Sequence, residues 1–553
     1  MSHLRLLFPE LGSPSSNYLH TPLLTDTYEL TMMYAYWKRG MHEKKSAFEA
    51  FFRKCPFKGE YAVFAGLDTV LQFLNAFRFS ESDIEYLRKI MPLAEDAFFD
   101  YLAQIDASCL KVTAMKEGTL CYPQEPLIRI EGPLAVAQVV ETPILTIIGY
   151  ATLVCTNARR MRQAAGPDKT LMEFGLRRAQ GPDGGMSASI YAIMGGFDTT
   201  SNTLAGKEFD IPVSGTHAHS FVMSFKNLDE VASLKIQSKD GSKTVDFFPL
   251  VMEKREMLKK HGIQQDNANE SELAAFISYA SSFPNSFCAL VDTYDTLRSG
   301  LVNFLSVAFA LKSLGWEYGS IRLDSGDLAY LSRTARETFA QLAKELEDPS
   351  IEQIRIVASN DLNEDTIISL NSQGHEIDVF GIGTNLTTCQ KQPSLGDVYK
   401  LVEISDEPRM KLSNDIGKTT IPSKKIIYRL YSETGTPILD LMVRDLDGHP
   451  DQVVPKVGQR ILCRHPFEET KRCFVVPHRV EQLNSVVWEG KSLLHERRQA
   501  SEIKGFVEEQ CKIARPDTLR TLNPTPYKVS LDDNLYQFMH QLYQDNLPIA
   551  EFK

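Results

Sequence analysis

The chain has 553 residues, of which 43% are hydrophobic and 24% charged, with a net charge of −11 and a sequence pI near 5.7. That length and apolar content suit a large buried core divided among roughly two to four structural units. The acidic balance excludes a broad electrostatic footprint for nucleic acid or an anionic membrane surface, but leaves room for a local cationic pocket. The nine cysteines, from Cys55 to Cys511, form no Cys-x-x-Cys pair. They read as free thiols in a reducing compartment, without a disulfide framework or structural zinc. The opening MSHLRLLFPELGSPSSNYLH has a short apolar run broken by Arg5 and Pro9. It matches a signal peptide poorly, so a cytosolic location is expected.

In chain order, TDTYELTMMYAYWKRG predicts a helix capped by Thr25 or Asp26 and stopped at Gly40. KSAFEAFFRK predicts a strand. The segment VTAMKEGTLCYPQEPLIRIEGP predicts short strands turning at Glu117-Gly118 and Pro123. Leu134 to Cys155 is the most apolar stretch and is nearly long enough to span a bilayer. Glu141 and Pro143 lie in its middle, which favours a buried core helix starting after Gly132-Pro133.

LMEFGLRR and IPVSGTHAHS predict two strands with polar exits. Further on the rhythm of strand, polar loop and helix is regular. FCALVDTYD precedes a helix around NFLSVAFALKSLG. YGSIRLDSGD precedes LSRTARETFAQLAKEL, and IRIVASND precedes NEDTIISLNSQG, before a last strand in DVFGIGTNL. Such alternation argues for parallel βαβ units, and about six strands of this kind argue for a barrel-like α/β domain. From about residue 400, KLVEISDEPRMKLS, KKIIYRLYSETGTPILDLMV and RCFVVPHRV read as strands and hairpins, with a turn at Glu433-Thr434-Gly435. The tail after Val480 is charged and partly helical. The expected organisation is an α+β region over 1–155, a catalytic barrel-like domain over 156–400, and a region over 401–553 that packs on the first.

In a parallel barrel, functional groups gather where the strands end. The exits here carry Arg177 and Arg178; Thr216, His217 and His219; Asp292 and Asp295; Arg322, Asp324 and Asp327; Ser359, Asn360 and Asp361; and Gly381, Gly383 and Thr384. One polar exit means little, but six in register predict a shared mouth. Arginines grip phosphate in bidentate fashion. Asp292, Asp324 and Asp327 could hold sugar hydroxyls directly or Mg²⁺ through water, while Asp324-Ser325-Gly326-Asp327 is equally a capped helix start. Gly381-Ile382-Gly383-Thr384 would let backbone N–H groups approach a phosphate, or is simply a tight turn. GGMSASIYAIMGGFDTTSN lacks the lysine of a P-loop. A histidine such as His219 is more often structural or a general acid/base than a phosphate carrier, though imidazole can act as a nucleophile. Together these groups describe a site for a phosphorylated sugar with a metal-bound diphosphate.

LLTDTYELTMMYAYW, FEAFFRKCPF, GYATLVCTNARRMR, EFGLRRAQGPDGG, GGFDTTSN, GTHAHSFVMSF, LVDTYDT, IRLDSGDL, ASNDLNEDTI, FGIGTNLTTC and PRMKLSND occur in that order from about residue 20 to 430. In this combination the chain resembles the nicotinate phosphoribosyltransferases. It departs from them at Pro422-Ser423, where Pro-Gly is usual, and its last hundred residues match only weakly. The resemblance implies an irregular, incomplete TIM-like α/β barrel of the type II phosphoribosyltransferase kind, with a flanking α+β domain built from N- and C-terminal parts. It implies nicotinate, phosphoribosyl pyrophosphate and ATP as substrates, Mg²⁺ (or Mn²⁺) as cofactor, and a homodimer with shared active sites. By motif, Tyr28 covers the nicotinate ring from the neighbouring subunit and Phe174 or a nearby group faces its other side. Arg177 and Thr216 contact phosphate or carboxylate, and His219 matches the phosphorylated histidine. Arg322 and Asp324 hold phosphate and ribose, Gly383-Thr384 the 5′-phosphate, with Asp292, Ser359, Asn360 and Gly381 in the same pocket. Rival readings are a nicotinamide or quinolinate phosphoribosyltransferase, and a dinucleotide-binding oxidoreductase. The latter lacks a full Gly-x-Gly-x-x-Gly after any strand. A third rival is a catalytically silent binding protein on the same fold, against which every motif position stands filled.

Overall fold

The computed structural model describes residues 21–413 and 416–546; the expectation for the first twenty residues lies outside them. Helix α1 spans Thr27–Lys38, begins at Asp26 and gives way to Gly40 with φ 65°. It packs on helix α2, Leu134–Val139. The apolar stretch from Leu134 is not one helix. It breaks at Val140 (φ −91°, ψ 1°), and helix α3 runs Glu141–Ala165. Pro143 explains the restart, because a proline is tolerated in a first turn, where its missing N–H would have no partner anyway. Most of α3 is buried, so its apolarity serves the core.

A seven-stranded antiparallel sheet takes Lys45–Phe52, Lys111–Met115 and Ile128–Pro133 from the N-terminal part. Asp397–Ile404, Glu407–Pro408, Asn484–Glu489 and Ser492–Leu493 come from later in the chain. Lys45–Phe52 lies inside this sheet and is buried on both faces after its first residue. The flanking region therefore combines N- and C-terminal segments. Divisions at 155/156 and 400/401 fall inside α3 and inside Asp397–Ile404. A second, six-stranded sheet is built wholly from residues beyond 424 and has its own small core of Leu430, Leu439, Leu441 and Val443.

A parallel sheet is built from the middle of the chain. Its strands are β1 (Thr170–Glu173), β2 (Thr199–Thr200), β3 (Cys288–Leu290), β4 (Ser320–Leu323), β5 (Arg355–Ala358) and β6 (Val379–Ile382), in the order β3-β4-β5-β6-β1-β2. Cys288, Val357, Val379 and Met172, from four of these strands, pack together as an inner layer, so the sheet is curled. No ladder joins β2 to β3 among the described residues. IPVSGTHAHS, expected as a strand, occupies that gap without becoming one. Val213 makes a single parallel bridge to Thr200, and on the other side His217 Nε2 accepts the Leu290 N–H at 3.3 Å. A side chain here replaces a backbone ladder, which leaves the barrel incomplete.

Ser423 shows what the departure from Pro-Gly requires. It is buried with φ 65°, the left-handed region that glycine enters freely. Its hydroxyl donates to Glu403 Oε2 at 3.0 Å, which offsets the strain. Ser423→Ala keeps the strain and loses the bond, so it should cost about 1.5–3 kcal/mol. Ser423→Gly loses the bond but relieves the strain, and should cost less. Urea unfolding that ranks alanine above glycine would contradict this account.

Candidate active site

Arg322, on β4, organises the mouth. Its Nε donates to Ser359 Oγ at 2.8 Å, Nη1 to Thr216 Oγ1 at 3.1 Å and Nη2 to Asp324 Oδ1 at 3.3 Å. Its guanidinium also lies 5.4 Å from the centre of the Phe174 ring. One side chain thus ties together the exits of β1, β4 and β5 and the gap segment. Ser359 also donates to Asp324, so that carboxylate is held from two directions.

Next to this group stands His219. Its Nε2 lies 3.7 Å from Asp324 Oδ2 and 3.9 Å from Asp292 Oδ1, and its Nδ1 is 3.1 Å from Thr293 Oγ1. A hydroxyl therefore holds the ring on one side while two carboxylates stand just beyond hydrogen-bond distance on the other, with its side chain 40% exposed. Asp292 is nearly buried. Ser325 donates to its Oδ2, whereas Oδ1 is buried without a partner. His217 behaves differently. Burial against Phe221 and Tyr279 pushes its pKa down to about 4, so it stays neutral and serves as an acceptor.

Beyond Arg322 opens a cavity of about 400 Å³, lined by Phe174, Arg177, Arg178, Ser359, Gly381, Gly383 and Thr384 among others. Arg178 Nη1 donates to Thr384 Oγ1 at 3.0 Å and lies 3.6 Å from Asp361. Gly383 leads into the short helix Thr384–Thr388, and its carbonyl accepts the Leu386 and Thr387 N–H groups. Helix α3 holds this turn from behind. Tyr150 Oη donates to Thr387 O at 2.6 Å and Asn157 Nδ2 to Asn385 O at 2.9 Å.

The structure gives several of the expected site residues a definite place. Gly381 lies within β6 and lines the cavity, where its missing side chain makes room for Phe174. A Cβ there would come within 2.6–2.7 Å of the ring. Gly383 is required by a close chain approach, since a Cβ would stand 2.9 Å from the Phe174 carbonyl oxygen. Asp327 caps the helix Leu328–Glu345 by accepting the Tyr330 N–H at 2.9 Å, and Asp295 caps Thr296–Gly300 in the same way. Asn360 is half-buried and does not line the cavity. Tyr28 is exposed on α1, beside Glu141, and is not brought to the cavity of its own chain.

Sequence reasoning passed over Thr293, Ser325 and above all Glu173. This fully buried carboxylate receives hydrogen bonds from the Gly175 N–H, Ser189 Oγ and Thr200 Oγ1, and so fixes the exit that carries Phe174 and both arginines. A lone carboxylate in the apolar run LMEF was the available signal, because buried charge persists only with partners.

A curled parallel sheet with arginines, hydroxyls and helix starts gathered at its exits is the architecture of an α/β barrel enzyme that binds phosphorylated ligands. Comparison with known proteins sharpens this. Residues 23–149 match the nicotinate phosphoribosyltransferase N-terminal domain, 170–445 the nicotinate phosphoribosyltransferase family, and 424–539 its C-terminal domain. Nicotinate phosphoribosyltransferase 1 of Arabidopsis thaliana is 50% identical over 97% of this chain and 96% of its own length. The Caenorhabditis elegans enzyme is 49% identical over 96% and 95%. A crystal structure of human nicotinic acid phosphoribosyltransferase superimposes with a TM-score of 0.83 at 38% identity, covering 94% of this chain and 99% of that one. The chain belongs to the nicotinate phosphoribosyltransferase family.

Proposed function

We propose that this chain joins nicotinate to 5-phosphoribosyl 1-diphosphate, releasing diphosphate and forming nicotinate mononucleotide for NAD biosynthesis by salvage in the cytosol. The observation that carries the reading is the Arg322 cluster, which sets a fixed guanidinium and an oriented carboxylate beside an aromatic ring. Phe174 offers a flat face to a pyridine ring. Arg177 and Arg178 supply cations for its carboxylate and for phosphate. As the bond to diphosphate breaks, positive charge grows on the ribose and negative charge on the leaving group. Asp324 steadies the first and the arginines the second. The pyridine nitrogen attacks with its free lone pair and needs no base.

Asp292 Oδ1, buried without a hydrogen-bond partner, and Asp324 Oδ2, 3.7 Å from His219, would suit Mg²⁺ held partly through water. The metal would neutralise charge on the diphosphate. Asp327, engaged as a helix cap, is the poorer ligand of the three.

ATP coupling is assigned to His219. Thr293 orients its imidazole, with the two carboxylates beside it, for attack on the γ-phosphorus of ATP, forming a P–N bond and releasing ADP. His219→Asn should abolish ATP hydrolysis while leaving slow joining activity, because Arg322 and the carboxylates remain. Acid-labile phosphate persisting on that variant would move the assignment elsewhere. The working unit is a homodimer in which Tyr28 closes the pyridine pocket of the opposite subunit. Its exposure and its absence from its own cavity support that arrangement.

A further inference from the structure

A second cleft, of about 520 Å³, is larger than the cavity at the mouth. It lies at the opposite end of the parallel sheet, where β1 begins. Asp198, on its wall, accepts the Leu171 N–H at 2.8 Å. The far half of α3 and the helix Ala500–Ile513 form its sides. Four cations line it, Arg159, Arg162, Lys504 and Lys512, against the carboxylates Asp198 and Glu508. In a chain of net charge −11 this is a marked local reversal.

The cations are not equivalent. Arg162 is spent on Asp198 and on the carbonyls of Gly166, Lys169 and Gly196. Lys504 donates to Asp198 at 2.6 Å and to the Phe197 carbonyl at 3.1 Å. Lys512 pairs with Glu509. Arg159 is half-buried and has no carboxylate within ion-pair distance and no hydrogen-bond acceptor among the described residues; its Nε is fully shielded from solvent. Buried donors in folded proteins almost always find an acceptor. A guanidinium held without one, in a cleft of ligand size, is therefore set for an oxyanion that enters from outside.

We propose that this cleft is a second anion site, taking a small metabolite through its phosphate or carboxylate group, with Arg159 as the principal contact. Arg162 and Lys504, locked on Asp198, form its rigid cationic floor. Equilibrium dialysis with radiolabelled inorganic phosphate, and separately with benzoate, tests it. The wild-type chain should bind one more probe molecule per chain than Arg159→Gln, because any site at the mouth is common to both and cancels. The probe that shows the difference identifies the recognised group. Retained joining activity in Arg159→Gln shows that the variant is folded. If it does not fold, Arg159→Lys keeps the charge but not the two-point fork, and should bind roughly tenfold more weakly. Equal binding by wild type and variant with both probes overturns the proposal.

Discussion

Arg322→Ala should lower kcat/KM by about 10²–10³-fold, the size of effect seen when one preorganised donor to developing charge is removed. Here the loss goes beyond one donor. Arg322 holds Ser359, Thr216 and Asp324 in place and packs against Phe174, so its removal also frees the carboxylate and the ring. Arg322→Lys restores the charge but cannot reach three partners from one planar fork, and should recover little. Steady-state kinetics with each substrate varied in turn, alongside thermal unfolding to show an intact fold, checks this. The same variant tests the dimer. Mixed with Tyr28→Ala subunits, it should regain activity, because in a mixed dimer with shared sites one site carries neither defect. No recovery after subunit exchange would place Tyr28 outside its partner's pocket.

Lys425→Met should be the most destabilising single change outside the mouth, by about 3–5 kcal/mol. Lys425 Nζ lies 2.7 Å from Glu49 Oε2, with both side chains at most 2% exposed. It also donates to the carbonyls of Ile421 and Ser423. The pair links the seven-stranded sheet, through Glu49, to the start of the second sheet. Without the lysine, Glu49 is a buried charge with no ion-pair partner among the described residues and only the cross-strand Arg129 to offset it. Burial already pushes its pKa up, and the variant removes the largest opposing influence. A carboxyl whose folded pKa is raised favours the folded state below its unfolded pKa and loses that contribution as pH rises through the folded value. The deficit of Lys425→Met should therefore be larger at neutral than at mildly acidic pH. Glu49→Leu combined with Lys425→Met should recover most of the loss. Urea unfolding of the single and double variants at the two pH values decides it.

The parallel strands were legible because each is a short apolar run that ends abruptly in polar residues, as in IRLDSGD and IRIVASND. IPVSGTHAHS has the same look and fills a strand's position, yet a histidine ring takes over the hydrogen bonding on one side. No periodicity reports that exchange. The break at Val140 was hidden because both halves of the apolar stretch are buried and only Pro143 marks the restart. At the mouth, residue types disclosed the chemistry but not the division of labour. Whether Gly381 admits a phosphate or a phenyl ring depends on Phe174, which arrives from another strand. Whether Asp327 is free depends on the N–H of Tyr330. The role given to Tyr28 rests on the family resemblance, since its own chain leaves it exposed and away from the cavity.

The identity of the base defines the reaction. Initial rates with phosphoribosyl pyrophosphate and Mg²⁺, measured separately for nicotinate, nicotinamide and quinolinate, test it most directly. A site that meets one pyridine carboxylate with Arg177 and Arg178, both exposed at the mouth, should favour nicotinate over the uncharged amide by about ten- to a hundredfold in kcat/KM, because the amide forfeits a charge-assisted hydrogen bond. Quinolinate should be used more slowly than nicotinate, because its second carboxylate would compete with phosphate for the arginines of the same cavity. Nicotinate mononucleotide formed with that preference is the expected result; equal or faster use of nicotinamide or quinolinate would contradict it.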